Sequence, residues 1–214
     1  MSIPKTGPGD AEVAALLERY RCPVPFHEVR TRFLGNIASP LMTASPLDTV
    51  KALWGGELPG LENLEAINEL FGALVMGLWN RLTSHQDRRN PFRLVRFEVE
   101  LTREGVARIA RVRREELEGF VEGLFGSEQS LDLPERAHQA LKVLTEMRAL
   151  LTGIIGLLED ETKPATQGDL TETLHTIQKM TRIGEVEIQK AVLSCTRARR
   201  LGLSQTPAAR PTLH

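Results

Sequence analysis

The chain has 214 residues, 41% hydrophobic and 26% charged, with a formal net charge of −1. This is a globular composition, long enough to bury a substantial core, and its near-neutral charge creates no whole-molecule field favouring nucleic acid or a membrane surface. Aromatic residues make up only 5%, so the core must come from Leu, Val, Ile and Ala, which favours helix-on-helix packing over an aromatic-rich β-sandwich.

Residues 1–9 are rich in Pro and Gly and read as a flexible leader, with no apolar signal core. Asp10 is placed to cap a first helix carrying Val13, Leu16, Leu17 and Tyr20 on one side, and Cys22-Pro-Val-Pro ends it. A second helix is predicted from Phe26 to Ala38, with Phe26, Val29, Phe33, Leu34 and Ile37 buried. Ser45 before Pro46 starts a short third helix ending at Trp54, where Gly55-Gly56 supplies the left-handed cap. From Leu61 to Leu82 apolar residues recur at i, i+3, i+4 and i+7, the mark of a helix packed on one face.

Thr83 to Pro91 is polar and ends that helix. Residues 92–101 alternate apolar with charged side chains, which fits a short strand, an extended loop or a helix; a lone strand would have no partner in a helical chain. Thr102 starts a helix to Phe125, closed by Gly126-Ser127. Asp132-Leu-Pro134 opens a long helix to about Leu158. A last helix runs from Asp169 to about Leu201. The expectation is an all-α fold, a single-domain bundle of about seven helices over residues 10–201, followed by a flexible tail at 202–214. The apolar stretches Phe71–Trp79 and Ala149–Leu158 are too short to span a bilayer. With Cys22 and Cys195 far apart and in no CxxC unit, reduced thiols in a cytoplasmic protein are the default, and a disulfide is the alternative.

His27, His85, His138, His175 and His214 occur in no spacing that presents two ligands to a metal, so no metal and no cofactor are expected. There is no GxSxG, no P-loop and no GxGxxG, and no His in sequence partners either cysteine. Cys195 sits beside Ala191 and Val192, where a buried structural thiol is the common outcome. The carboxylate pairs Glu115-Glu116 and Asp160-Glu161 read as solvated charge, and Trp54 and Trp79 read as core. No catalytic residue is assigned and the chain is read as a non-enzyme; a site assembled from dispersed residues around His27 or His85 is the enzymatic alternative.

One charge asymmetry stands out. Ten arginines fall between Arg81 and Arg114, against only Asp87, Glu98, Glu100 and Glu104. Arg88, Arg89, Arg93, Arg108, Arg111 and Arg114 are the candidate basic interaction surface, able to clamp phosphates or an acidic partner. Arg197, Arg199 and Arg200 form a second cluster, where cations also suit a helix C-terminus. The bland alternative is a solvated face balanced by the acidic run Glu115 to Glu122. Stacking aromatics and a recognised reading helix are missing, so nucleic acid ranks behind a protein partner. The apolar stripe Leu133–Leu158 is long enough to be buried within the chain or against a second copy.

The segment Val24 to Pro40, with Glu28, Leu34 and Ala38-Ser39-Pro40, continues through Ser45-Pro46 to Val50-Lys-Ala-Leu-Trp-Gly-Gly56. In that order it resembles the opening of the YecA/YgfB-like family of bacterial proteins. The long helix with Asn80, the following Pro91-Phe92, Gly119-Phe120 with Gly123, and the helix Val186–Leu201 lie where the family has its later features. The resemblance spans residues 10–200, with Trp54-Gly55-Gly56 its most specific part. Arg30 stands where members commonly have an acidic residue, and the Cys-rich metal-binding extension of some members is lacking, so no zinc is carried over. The resemblance implies an all-α fold, a largely uncharacterised function and no catalytic residues. Together these readings make the chain a protein-interaction or regulatory module, with nucleic-acid association as the alternative.

Overall fold

Three helices begin at a side-chain cap, at Ser45, Asn63 and Thr102, while those starting at Phe26 and Glu135 follow a proline directly with no side-chain cap. The computed structural model describes residues 9–41 and 43–205, with side chains described through 202. Most of the leader and of the tail expected from the sequence lies outside the described residues. Helix α1 is Asp10–Arg19. Its cap is Gly9 rather than Asp10: the Gly9 amide donates to the Glu12 carboxylate at 2.7 Å, and Asp10 enters the first turn. Helix α2 is Phe26–Ala38, with the bounds expected. Helix α3 is Pro46–Ala52, with the Ser45 hydroxyl accepting from the Asp48 amide at 3.4 Å. It stops two residues before Trp54. Gly55 (φ 81°) and Gly56 (φ 109°) then turn the chain in the left-handed region, the Gly56 amide reaching back to the Lys51 carbonyl at 2.9 Å.

Helix α4 starts at Leu64, not Leu61, because Asn63 supplies the cap: its side-chain oxygen accepts from the Ala66 amide at 2.8 Å. An α-helical Leu64–Phe71 passes into a π-helical Gly72–Trp79, then an α-turn Asn80–Leu82 and a 3₁₀ turn Thr83–Gln86. The i→i+5 bonding widens the helix, so side chains four apart stay aligned. Leu70, Leu74, Leu78 and Leu82 form one buried line, while Met76 is 70% exposed on the far side.

Residues 87–102 contain no regular element, and 91–100 are extended without a paired strand. Helix α5 is Arg103–Phe125, capped by the Thr102 hydroxyl on the Gly105 amide at 3.0 Å. Helix α6 is Glu135–Glu159 and helix α7 is Gln167–Gln205. Helix α7 runs past Leu201, so the expected tail begins in helix. The fold is all-α, a single-domain bundle of seven helices with no strand among the described residues. Among those residues no helix is long and apolar enough to cross a membrane.

Helix α2 lies at the centre. Nine of its thirteen residues are buried, including Glu28, Thr31 and Asn36, so it is enclosed on most sides rather than along the single stripe expected. It crosses α5 at backbone contact. A Cβ on Gly123 would overlap the Arg32 carbonyl, one on Gly35 would overlap the Phe120 carbonyl, and one on Gly119 would come within 2.9 Å of the Glu28 carbonyl. Behind α5, helices α6 and α7 complete the core through Leu144, Met147, Leu151, Ile155, Ile177 and Ile188. Trp54 and Trp79 pack against this core half-buried; their indole N–H groups donate to the Tyr20 carbonyl at 3.0 Å and to Asn36 at 3.1 Å.

Gly123→Ala is expected to lower stability by about 3 kcal/mol, since the obstacle is backbone and cannot rotate away. Gly153→Ala, where a Cβ meets nothing, should instead raise it by roughly 0.5–1 kcal/mol through helix propensity. Denaturant unfolding of the two variants checks both signs.

Candidate functional site: the arginine-rich segment and its buried carboxylates

An extended segment with no neighbouring strand must find hydrogen-bond partners elsewhere. Residues 92–95 find them in side chains. The Phe92 amide donates to Gln189 at 3.2 Å, the Leu94 amide to Glu185 at 3.2 Å and the Val95 amide to Glu116 at 2.8 Å. Arg113 donates to the Val95 carbonyl, and Arg30 donates to the Arg93 carbonyl at 3.4 Å while its guanidinium lies 5.0 Å from the Phe92 ring centre. Phe92 and Leu94 point inward and are buried, whereas Arg93 and Arg96 face solvent. The segment thus keeps the alternation of a strand while α5 and α7 replace the ladder with side chains. Of the three readings open from the sequence, it is the extended loop.

Two carboxylates organise this strap. Glu185 on α7, 1% exposed, accepts from Arg93 at 2.7 Å and Arg96 at 3.1 Å besides the Leu94 amide. Glu116 on α5 is wholly buried and takes Arg113 as its ion-pair partner, while Arg113 also donates to the Thr181 hydroxyl at 3.0 Å. Burial raises the Glu116 carboxyl to about 7, opposed by Arg113, the Val95 N–H and the more distant Arg30. The solvated reading of Glu115-Glu116 is therefore corrected. The two residues do point apart, but Glu116 turns into the core and Glu115, half-buried, pairs with His27 at 2.8 Å.

The arginines separate by partner. Arg93 is exposed yet tied to Glu185. Arg108 lies 5.4 Å from the centre of the Phe97 ring. Arg111 and Arg114 are half-buried, each with an Nε that is buried and makes no hydrogen bond, and Arg111 approaches Glu159 at 3.9 Å. Arg88 and Arg89 are exposed on the turn before the strap, with no side-chain ion pair among the described residues. Arg103 donates to the carbonyls of Leu157, Leu158, Asp160 and Lys163 at 2.6–3.2 Å and so closes the C-terminus of α6. Arg199 does the same for the end of α2, donating to the Ser39 carbonyl at 3.1 Å. A run that looked like one basic face therefore contains internal ties as well as free cations. Glu185 and Gln189 escaped sequence reading, because a lone Glu or Gln on an amphipathic helix looks like surface.

The remaining candidates have local partners. His85 donates its Nδ1–H to the Asn90 carbonyl at 2.9 Å and stands edge-on to Phe92; burial lowers its pKa. His138 and His175 are exposed, and His214 lies outside the described residues. Among the described residues no three His, Cys, Asp or Glu side chains gather as a metal site would need. Cys195 is fully buried, its thiol raised to about 11 by that burial, and both Cys22 and Cys195 are free. A cleft of about 500 Å³ lies between the ends of α2 and α5 and the start of α3. The one cation among its described lining residues, Arg32, is already held by Glu28 at 2.7 Å and by Glu122. Neither His27 nor His85 lines it.

No family model, no curated protein and no solved structure matches the chain.

Replacing Glu185 with Ala leaves the Leu94 amide without its acceptor and releases Arg93 and Arg96. The expected cost is about 1–3 kcal/mol, with faster tryptic cleavage after Arg93 and Arg96 in limited proteolysis. Carbon-13 titration of the Glu116 carboxyl should give a midpoint near 7. Its folded value lies above the unfolded one of about 4.3, so the folded state holds the extra proton between them. This group alone makes stability fall as pH rises through that window, and Glu116→Gln should remove that part of the pH dependence of unfolding.

Proposed function

We propose that the chain is a non-enzymatic interaction or regulatory module of the bacterial cytoplasm, related to the YecA/YgfB-like family through Trp54-Gly55-Gly56 and the surrounding helical segments. Its partner is a protein that lays an apolar helix along the outer face of α6. One observation carries this reading. Leu150 and Leu157 are 61% and 55% exposed two turns apart on α6, and between them Gly153 and Gly156 have open space where a Cβ would stand. Ala149, Thr152, Gly153 and Gly156 are also exposed, so the face is free of charge over more than two turns. Two leucines flanking open glycines let a second helix approach closely and bury both anchors.

A second reading, nucleic-acid association, draws on Arg88 and Arg89, adjacent, exposed and without a side-chain ion pair among the described residues.

The Leu150→Lys/Leu157→Lys double variant tests the first reading. Its far-UV spectrum and melting temperature should match the parent, since neither side chain is in the core. A photo-crosslinker at Ala149 should capture in lysate a protein that the double variant fails to capture. A dimer seen by sedimentation in the parent and lost in the variant would make that helix a second copy. Undiminished capture by the variant overturns the reading, and binding to DNA or RNA that weakens with salt and is lost in Arg88→Ala/Arg89→Ala would favour the second one.

A further inference from the structure

A second cleft, of about 280 Å³, opens between the strap, α5 and α7 on a different part of the molecule from the α6 face. That volume lies just under the usual range of ligand pockets, so any ligand must be small. Its floor is apolar, formed by Phe97, Val99, Ile109 and Ile177. Its charged wall consists of Arg96, Arg113 and Arg182, with no carboxylate among the lining residues. The balance around it is also positive. Glu116 and Glu185 lie behind the wall and hold Arg113, Arg93 and Arg96. With Arg182 added, four arginines face two carboxylates. Arg182 is exposed and makes no ion pair or hydrogen bond among the described residues, and the neighbouring Gln178 amide is likewise unengaged. Arg96 touches Glu185 through one terminal nitrogen, leaving the rest of its guanidinium outward at 68% side-chain exposure. Arg108 steadies the Phe97 ring from outside at 5.4 Å.

From these features we propose that the cleft is a binding site for a small amphiphilic carboxylate, a single anionic head on an aliphatic or aromatic body. The head meets Arg182 and the outer edge of Arg96, with Gln178 able to donate a further hydrogen bond. The body covers Phe97, Val99 and Leu174, the half-buried apolar residues of the lining, and removes their remaining exposed surface from water, with Ile109 and Ile177 beneath them. A phosphate with no apolar body leaves the floor wet, and a neutral lipid-like molecule leaves Arg182 without an anionic partner. The carboxylate with an apolar tail satisfies both, because charge-assisted bonds and apolar burial then act on the same ligand. The site is independent of the partner helix proposed for α6.

Calorimetric titration of the full chain with octanoate tests this, with octanamide as the neutral counterpart. Octanoate should bind and octanamide should bind at least about tenfold more weakly, the size of effect one charge-assisted hydrogen bond gives. Arg182→Gln should weaken octanoate about tenfold with no change in melting temperature, since Arg182 is exposed and holds nothing in the fold. Methyl resonances of Val99, Ile109 and Ile177 should shift on titration. The Leu150→Lys/Leu157→Lys variant should bind octanoate like the parent, so loss of the α6 interaction and loss of this site are distinguishable. Equal affinity for octanoate and octanamide, no effect of Arg182→Gln, shifts confined to Leu150 and Leu157, or no binding at millimolar octanoate would each overturn the proposal.

Discussion

Everything in this bundle is arranged around one close crossing, that of α2 over α5. Gly35 on α2 and Gly119 and Gly123 on α5 bring the two backbones into contact, with carbonyls of one helix lying where side chains of the other would stand. At that separation the large neighbours Phe33, Leu34, Ile37, Phe120 and Leu124 all become fully or almost fully buried. The contact also forces polar groups inward. Glu28 and Thr31 lie beside Gly119, and burial raises the Glu28 carboxyl despite its bond to Arg32. A helix pair packed this tightly has few ways to shift, so it forms the rigid reference against which the strap, α6 and α7 are set.

The strap shows what the remaining space requires. A stretch of chain crosses the surface of a helical bundle with no strand to pair with, and an unpaired buried amide costs more than most single contacts contribute. Glu116, Glu185 and Gln189 supply acceptors, and Arg30 and Arg113 supply donors. The same carboxylates need cations because they are buried, which draws in Arg93, Arg96 and Arg113. Part of the basic character of this region therefore follows from how the strap is held. Among the described residues, Arg88 and Arg89 on the turn before the strap, and Arg182 on α7 opposite it, are exposed cations with no side-chain ion pair.

The α6 face and the cleft beside α7 differ in the physics they offer. The first is apolar, uncharged and open, suited to another helix. The second is concave, apolar at its floor and cationic at its rim, suited to a small anion with a body. The first lies on α6, and the second lies between the strap, α5 and α7.

The sequence by itself determined the helices, because periodic leucines, Ser45-Pro46, Thr102, Gly55-Gly56 and Gly126 act through local backbone chemistry that needs no tertiary partner. It left Phe92–Leu101 open for the same reason: alternation describes a strand, but pairing is a property of neighbours. The π-helical Gly72–Trp79 was hidden within a good α-helical pattern, since aligned leucines at every fourth position satisfy both. Placing Glu116 in solvent failed because a carboxylate on a charged helix carries no local mark of burial. The arginine cluster was legible as composition but not as a surface, since whether Arg93 or Arg103 is free depends on a carboxylate or a helix end some ninety or sixty positions away in the chain. Local propensity fixes where helices start and stop; only the packed structure decides which charges meet, and with them where a ligand or partner can sit.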